Sequence, residues 1–355
     1  MRKIFLFSLH ILVIGFSLSV SAQTSDKLWY DEPALHFEET LVLGNGQQGA
    51  TVFGGTETET IYLNDITLWS GTPVRDDMNP EAYKKLPAIR EALANEDYPL
   101  ADSLNKFLQG KNSETYAPLG TLEILFENKG EVSNYYRELD LNRAISTVRY
   151  QQNEVNYKRE YFVSYPDKVL VIKLTSSERR KLNFNVKFKS LQKHNLITSN
   201  AILTGKGAAP IHASPTFFGD VDYELRAKEN EGTRFISMSQ IKNTDGEIVT
   251  TDSTIGVKNA SEVIIIVSLA TSFNGFDKNP VTDGKDYEGI AQKQLNRAFS
   301  KSYEQLKENH IADYQKFHSR VSLSLGETTA PNWPTDERLK RYSEGKEDKN
   351  LEILY

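Results

Sequence analysis

There is no cysteine anywhere in the 355 residues. That absence excludes disulfides, thiolate catalysis, cysteine–metal centres and lipid attachment through an N-terminal cysteine. Beyond Val20 no run is apolar enough to cross a bilayer. There is no excess of basic residues either: 42 Lys and Arg stand against 48 Asp and Glu, a formal charge of −6. A mildly acidic chain is a poor partner for nucleic acid or an anionic membrane. No internal repeat, low-complexity tract, G-x-S-x-G elbow or P-loop lysine motif is present. Gly44, Gly46 and Gly49 do spell G-x-G-x-x-G. The residues after them, Ala50 to Leu63, alternate Thr, Val, Ile and aromatics with glycine and read as strands, so no helix N-terminus is available to hold a phosphate. A β-hairpin turning at Asn45-Gly46 is expected instead.

What is there begins with a leader. Arg2 and Lys3 precede a mostly apolar stretch, Ile4 to Val20, and Ser19-Val20-Ser21-Ala22 ends in small residues before Gln23. This reads as a cleavable secretory signal over residues 1–22, and hence a secreted or bacterial periplasmic protein with no membrane association after cleavage. Its removal takes the formal charge from −6 to −8. Roughly 330 residues remain, enough for one large domain or two ordinary ones, stabilised by their cores alone.

From Leu28 to about Phe273 the pattern is β. Val169 to Leu174 reads as a buried strand and Val263 to Leu269 as another central one, and Leu182 to Phe188 alternates apolar with polar. Many such runs separated by short polar turns predict a large antiparallel sandwich, mainly β in class. The basic run Arg179-Arg180-Lys181 between two of them reads as a solvated turn. One helical insertion interrupts the strands: Leu86, Ile89 and Leu93, then Ala101, Leu104 and Leu108, recur at helical spacing. Asn79 is the expected N-cap before Pro80, Gly110 the stop, and the product a helical hairpin laid over a sheet. After about Asp283, apolar residues from Ile290 to Phe317 predict one or two amphipathic helices. Val321 to Leu325 reads as a further strand, and Leu351 to Tyr355 as the first turns of a helix.

Several residues are candidates for chemistry. The acidic clusters are Glu38-Glu39, Asp76-Asp77 and Asp220/Asp222/Glu224. The last would share one strand face, most simply a wetted one. The histidines outside the leader, His36, His194, His212, His310 and His318, lack metal-ligand spacing, so neither metal nor cofactor is expected. His310 and Asp313 lie one helical turn apart and read as a surface pair. Trp69, in Leu68-Trp69-Ser70-Gly71, sits beside a turn close in sequence to Asn64 and Thr67. An exposed indole there would stack on sugar C–H surfaces while Asn64 and Thr67 bind hydroxyls; a core tryptophan ending a strand fits the same sequence.

Long pieces of the chain carry a family resemblance in order: LVLGNGQQGATVFGG, IYLNDITLWSGTP, NPEAYKKLPAIREAL, YAPLGTLEILF, YYRELDLNRAISTVRY, YKREYFVSYPDKVLVIKL, HIADYQKFHSRVSLSLG and PTDERL. They resemble the N-terminal region of glycoside hydrolase family 95, the 1,2-α-L-fucosidases. The resemblance implies an N-terminal β-supersandwich over residues 23–283, a helical linker and return strand over 284–326, and the truncated start of an (α/α)6 catalytic barrel over 327–355. It also implies a fucosylated glycan as substrate, hydrolysed with inversion by a glutamic acid and an asparagine- and aspartate-held water. Those residues would lie beyond PTDERL, so none is assigned here, and the chain by itself is expected to be inactive. A free-standing carbohydrate-binding or structural module is the alternative. The segment after Gly326 is expected to be poorly ordered for want of a packing partner.

Overall fold

The computed structural model describes residues 26–73, 79–110, 114–213, 223–224, 232–326 and 330–354. The leader, Asp76-Asp77, Asp220 and Asp222 lie outside these residues, as does the side chain of Glu224. The early strands are β1 (Lys27–Tyr30), β2 (Leu41–Gly44), β3 (Gln48–Val52), β4 (Thr58–Asp65) and β5 (Gly120–Phe126). Next come β6 (Val132–Asp140), β7 (Ile145–Gln152), β8 (Val155–Ser164), β9 (Val169–Ser176), β10 (Leu182–Lys189), β11 (Lys193–Ser199) and β12 (Ile202–Ala208). The short β13 (His212–Ala213) and β14 (Tyr223–Glu224) pair with each other, and β15 (Arg234–Asn243), β16 (Glu247–Thr250), β17 (Thr254–Ala260) and β18 (Glu262–Thr271) complete the set.

These strands build two antiparallel sheets. One has nine strands in the order β1-β6-β7-β8-β9-β18-β15-β12-β11, the other seven in the order β16-β17-β10-β5-β4-β3-β2. Leu43, Ile61, Leu122 and Phe184 of the smaller sheet face Tyr161, Ile172 and Ile265 of the larger one across the main core. The expected mainly β sandwich is what forms.

The hydrophobic patterns follow from which faces are covered. β10 alternates because one face of the seven-stranded sheet packs and the other meets solvent. β9 and β18 carry consecutive apolar residues, Val169 to Ile172 and Val263 to Val267, because both their faces are covered there. Leu170, Ile172, Val263 and Ile265 point into the sandwich, while Val169, Val171, Ile264 and Ile266 point outward into a second core. That second core is closed by Ala291, Leu295 and Ala298 of α3 (Tyr287–Phe299) and by Tyr303 and Leu306 of the helix after it.

The hairpin at Asn45 forms with a shifted turn. Asn45 N–H donates to Gln48 O (3.0 Å), so Gly46 and Gln47 are the central pair, and Gly46 has φ +83°. Glycine first in the pair is the pattern of a type II′ turn, and the Asn45 side chain accepts from the N–H groups of Gln47 and Gln48. Arg179 to Lys181 is the expected turn, with Arg180 at φ +61°.

The insertion folds as a 3-10 turn, Ala82–Lys85, then α1 (Leu86–Ala94) and α2 (Tyr98–Asn105). Asn79 does not cap a helix. Its amide donates to Phe107 O and Gln109 O and ties the two ends of the hairpin together, while Asp97 caps α2 by accepting from Leu100 N–H. The hairpin is not laid over a sheet: α1 and α2 pack chiefly on each other, burying Ile89, Ala92 and Ala101.

After the sandwich, α3 (Tyr287–Phe299) and α4 (Tyr303–His318) lie along the outer face of the nine-stranded sheet. Lys301, between them, meets the buried Asp167 carboxylate at 2.5 Å, and Lys307 meets Glu160 at 2.8 Å. His310 is not a surface partner of Asp313. It is buried, stacks on Phe162 (4.8 Å) and donates from Nε2 toward the carbonyls of Arg143 and Ala144. Val321 to Leu325 forms no strand and lies exposed. Residues 330–354 are not an unpacked tail. α5 (Thr335–Ser343) docks on β1, where Trp29 N–H donates to Thr335 Oγ1 (2.9 Å). Arg338 forks onto Asp348 and reaches Asn350, joining α5 to α6 (Lys349–Leu354).

Candidate functional site

Where β4 ends, Asp65 is buried and its Oδ1 accepts from both the N–H and the hydroxyl of Thr67, which bends the chain. Leu68 is fully buried and fixes the next step, and its carbonyl accepts from Ala117 N–H. With Leu68 pinned inward, alternation throws Trp69 outward, where it bridges to Tyr116 across the root of the insertion. Trp69 is 43% exposed and its indole N–H donates to Ile66 O (2.9 Å), so it is not a core tryptophan. Its ring meets that of Tyr116 edge-on at 6.5 Å.

Asn64 faces outward on β4, and its Oδ1 accepts the Tyr116 hydroxyl at 2.5 Å. Gly49, opposite Asn64, has no side chain, and the Asn64 amide lies across it. The structure therefore brings Asn64 and Trp69 together through Tyr116. Thr67 is used differently: its hydroxyl is held between Asp65 and Thr271 Oγ1 (2.5 Å), which joins the turn to the end of β18. Burial, and next the charge of Asp65, push the Tyr116 phenol up to about 12, so it stays protonated and able to donate.

Beside this pair a second cluster closes the root. Glu114 Oε2 accepts from Ser70 Oγ (2.9 Å) and Ala213 N–H (3.1 Å), and its Oε1 accepts from His212 Nδ1 (2.9 Å). Burial pulls this carboxyl upward, but the bonds from His212, Ala213 and Ser70 outweigh it and hold it below the usual carboxylate range. Gly71 is required here. It has φ +98°, and a Cβ on it would lie 2.5 Å from Glu114 Cγ. The carboxylate thus pins three segments; its geometry is that of a fastener rather than of an acid facing a base. Among the described residues no cluster of three His, Asp or Glu side chains is placed to hold a metal. Glu38 is exposed, and Glu39 accepts from Leu35 and His36 N–H at the turn before β2.

Tyr116, Glu114 and His212 were not paired by the sequence reading. Tyr116 and Trp69 are 47 residues apart with the insertion between them, a span across which periodicity carries no information. The available signal was symmetry: each aromatic stands at one end of the interruption in the β pattern.

Comparison with known proteins places these features in a family. The glycosyl hydrolase family 65 N-terminal domain matches residues 28–275, and the glycosyl hydrolase family 95 catalytic domain matches residues 302–355. The chain is 28% identical over 343 residues to alpha-L-fucosidase 2 of Arabidopsis thaliana, an alignment covering 93% of this chain and 41% of that protein. It is 27% identical to the probable alpha-fucosidase A of Aspergillus niger (92% and 41% covered) and 25% identical to that of Aspergillus oryzae (90% and 43%). The chain thus spans well under half the length of these curated relatives.

Proposed function

This chain belongs to the family defined by the glycosyl hydrolase family 65 N-terminal domain, and we propose that it works as the N-terminal region of an α-L-fucosidase-type enzyme. The reaction is inverting hydrolysis of terminal α-L-fucose from a glycan. What carries this reading is the succession of the two matches, a family 65 N-terminal domain and then family 95 catalytic sequence, together with relatives named as fucosidases. The leader pattern over residues 1–22 supports a secreted or periplasmic location.

In this reading the sandwich supplies no acid or base. An inverting glycosidase needs two carboxyl groups on opposite sides of the scissile bond, with room for water between them. Glu114 is fully engaged with Ser70, Ala213 and His212, and Asp65 is buried beneath the Thr67 turn. The β domain instead supports substrate contact at Asn64 and Trp69, with Thr67 holding the turn that presents them. The edge of the Trp69–Tyr116 pair offers apolar ring surface beside an amide, the combination that meets a sugar's C–H and hydroxyl groups.

The test is release of fucose from 2′-fucosyllactose. The purified chain is expected to release none, whereas a longer version that includes a complete catalytic domain does. Fucose release by the short chain alone would overturn the assignment of chemistry to the catalytic domain. A free-standing carbohydrate-binding module, favoured by the exposed Trp69 and Tyr116, would bind glycan and gain no activity on extension.

A further inference from the structure

The outward face of the seven-stranded sheet carries a connected line of rings that the sandwich core does not use. Thr60, Tyr62 and Asn64 alternate with the buried residues of β4 and so point away from the core. At one end of the line Phe37, from the turn before β2, stacks on Tyr62 with centroids 6.1 Å apart and planes 17° from parallel. Phe53 meets the same Tyr62 ring edge-on at 5.1 Å. Asn64, two residues and roughly 7 Å along the strand, takes the Tyr116 hydroxyl, and Tyr116 leads to Trp69. The four rings Phe37, Tyr62, Tyr116 and Trp69 remain between 39% and 56% exposed, although aromatics of this size are usually well covered.

What lies between the rings is short and uncharged. Thr51 and Thr121 flank Tyr62 in register, and Gly49 lies opposite Asn64. The first charge beside the strip is Glu123, opposite Thr60 on β5, and Lys189 meets it at 2.7 Å. A surface for a protein partner would join its rings into one apolar patch with a charged rim. Here two ring pairs are separated by an amide and hydroxyls, which matches a polymer that alternates C–H faces with hydroxyl groups.

We propose that this strip binds an extended neutral glycan, laid along β4 from Phe37 to Trp69. Ring faces of Phe37, Tyr62 and Trp69 carry the sugar C–H surfaces, and Asn64, Thr51 and Thr60 take hydroxyls. The proposal rests on the reading of Asn64 and Trp69 as glycan contacts, and extends it to a surface that needs no hydrolysis. The strip carries no unpaired basic group, its bordering Glu123 being met by Lys189, and the overall formal charge of −6 selects against acidic polymers.

Affinity electrophoresis of the purified chain tests it, in gels holding galactomannan, hydroxyethyl cellulose or polygalacturonate. Retardation by a neutral polymer and not by polygalacturonate is expected. Tyr62→Ala and Trp69→Ala, at the two ends, should each weaken it about tenfold, and Tyr62→Phe should keep it. Unchanged thermal unfolding of these exposed-site variants separates lost binding from lost fold. Passage through both neutral gels without retardation overturns the proposal, as does retardation that neither alanine variant diminishes or that polygalacturonate matches. A concentration-dependent dimer that Tyr62→Ala disperses would make the face an interface between copies and would also overturn it. Fucose release is measured separately on the longer enzyme, so failure of the fucosidase reading leaves the retardation result standing.

Discussion

Arg159 is a charged side chain in a hydrocarbon setting. It is 1% exposed, on β8 of the larger sheet, and its guanidinium meets Glu59 of the smaller sheet at 3.1 Å. It also donates to Gly55 O (2.6 Å) and to the Tyr150 hydroxyl (2.7 Å), and it lies over the Phe126 ring at 4.0 Å. Tyr161 donates its hydroxyl to Glu59 at 2.6 Å. Burial disfavours the charge on Arg159, but Tyr150, Tyr161 and Glu59 more than restore it, so it stays protonated. The group is a polar rivet between two apolar sheets. Arg159→Met is expected to cost about 3–5 kcal/mol, since Glu59 is left buried without its counter-charge. Adding Glu59→Gln should recover part of that loss in urea unfolding; a double variant no better than the single would show that the pair is not coupled. None of this was legible in the sequence. Glu59 sits in Thr56-Glu57-Thr58-Glu59-Thr60, which has the composition of a wetted strand, and only the approach of β8 from the opposite sheet makes it interior.

Elements were more legible than their terminations. The runs at β9, β10 and β18 and the helices α3 and α4 stand where periodicity puts them, because each buries a face large enough to dominate its pattern. Val321 to Leu325 alternates equally well and still forms no strand. Alternation specifies a face, whereas a strand also needs an edge to pair with, and the β1 edge is already covered by α5 through Trp29 and Thr335. Trp69 and Asn64 were legible as neighbours in sequence; that they meet through Tyr116 was not. His310 shows how an element's docking acquires pH dependence. Burial lowers its pKa below 6.5, with the carbonyls of Ala144 and Arg143 and the charge of Asp313 opposing that, and Arg143 adding to it. With the folded pKa below the unfolded one, the unfolded chain binds the proton more readily. The stabilisation is therefore complete above the unfolded value and is lost as pH falls through 6.5 toward the folded value. The temperature of thermal unfolding is expected to fall as pH is lowered from about 7.5 to about 5.5, and His310→Gln should flatten that slope. An unchanged slope would place the titration elsewhere.

At the scale of the molecule, the insertion and the sandwich are separable. Ser70 N–H donates to Thr115 O and Ala117 N–H to Leu68 O, so the two chain ends at the insertion's root are held by the sandwich side alone. Replacing residues 79–108 by a short Gly-Ser linker is expected to move sandwich stability by no more than about 1 kcal/mol, read by calorimetry; a larger fall would make the hairpin part of the cooperative core. The sandwich itself cannot be divided so easily. The chain passes back and forth between the two sheets, and the centre of the larger one is sealed late: Ile172 of β9 pairs with Ile265 of β18. During synthesis β9 therefore leaves the ribosome with one side satisfied by β8 and the other open, and it waits while β10 to β17 are made. For that interval Val169-Leu170-Val171-Ile172 is a bare, uncharged strand edge of the kind that recruits other nascent chains. Shielding that one segment with a holding chaperone until β18 arrives would spare it the exposure.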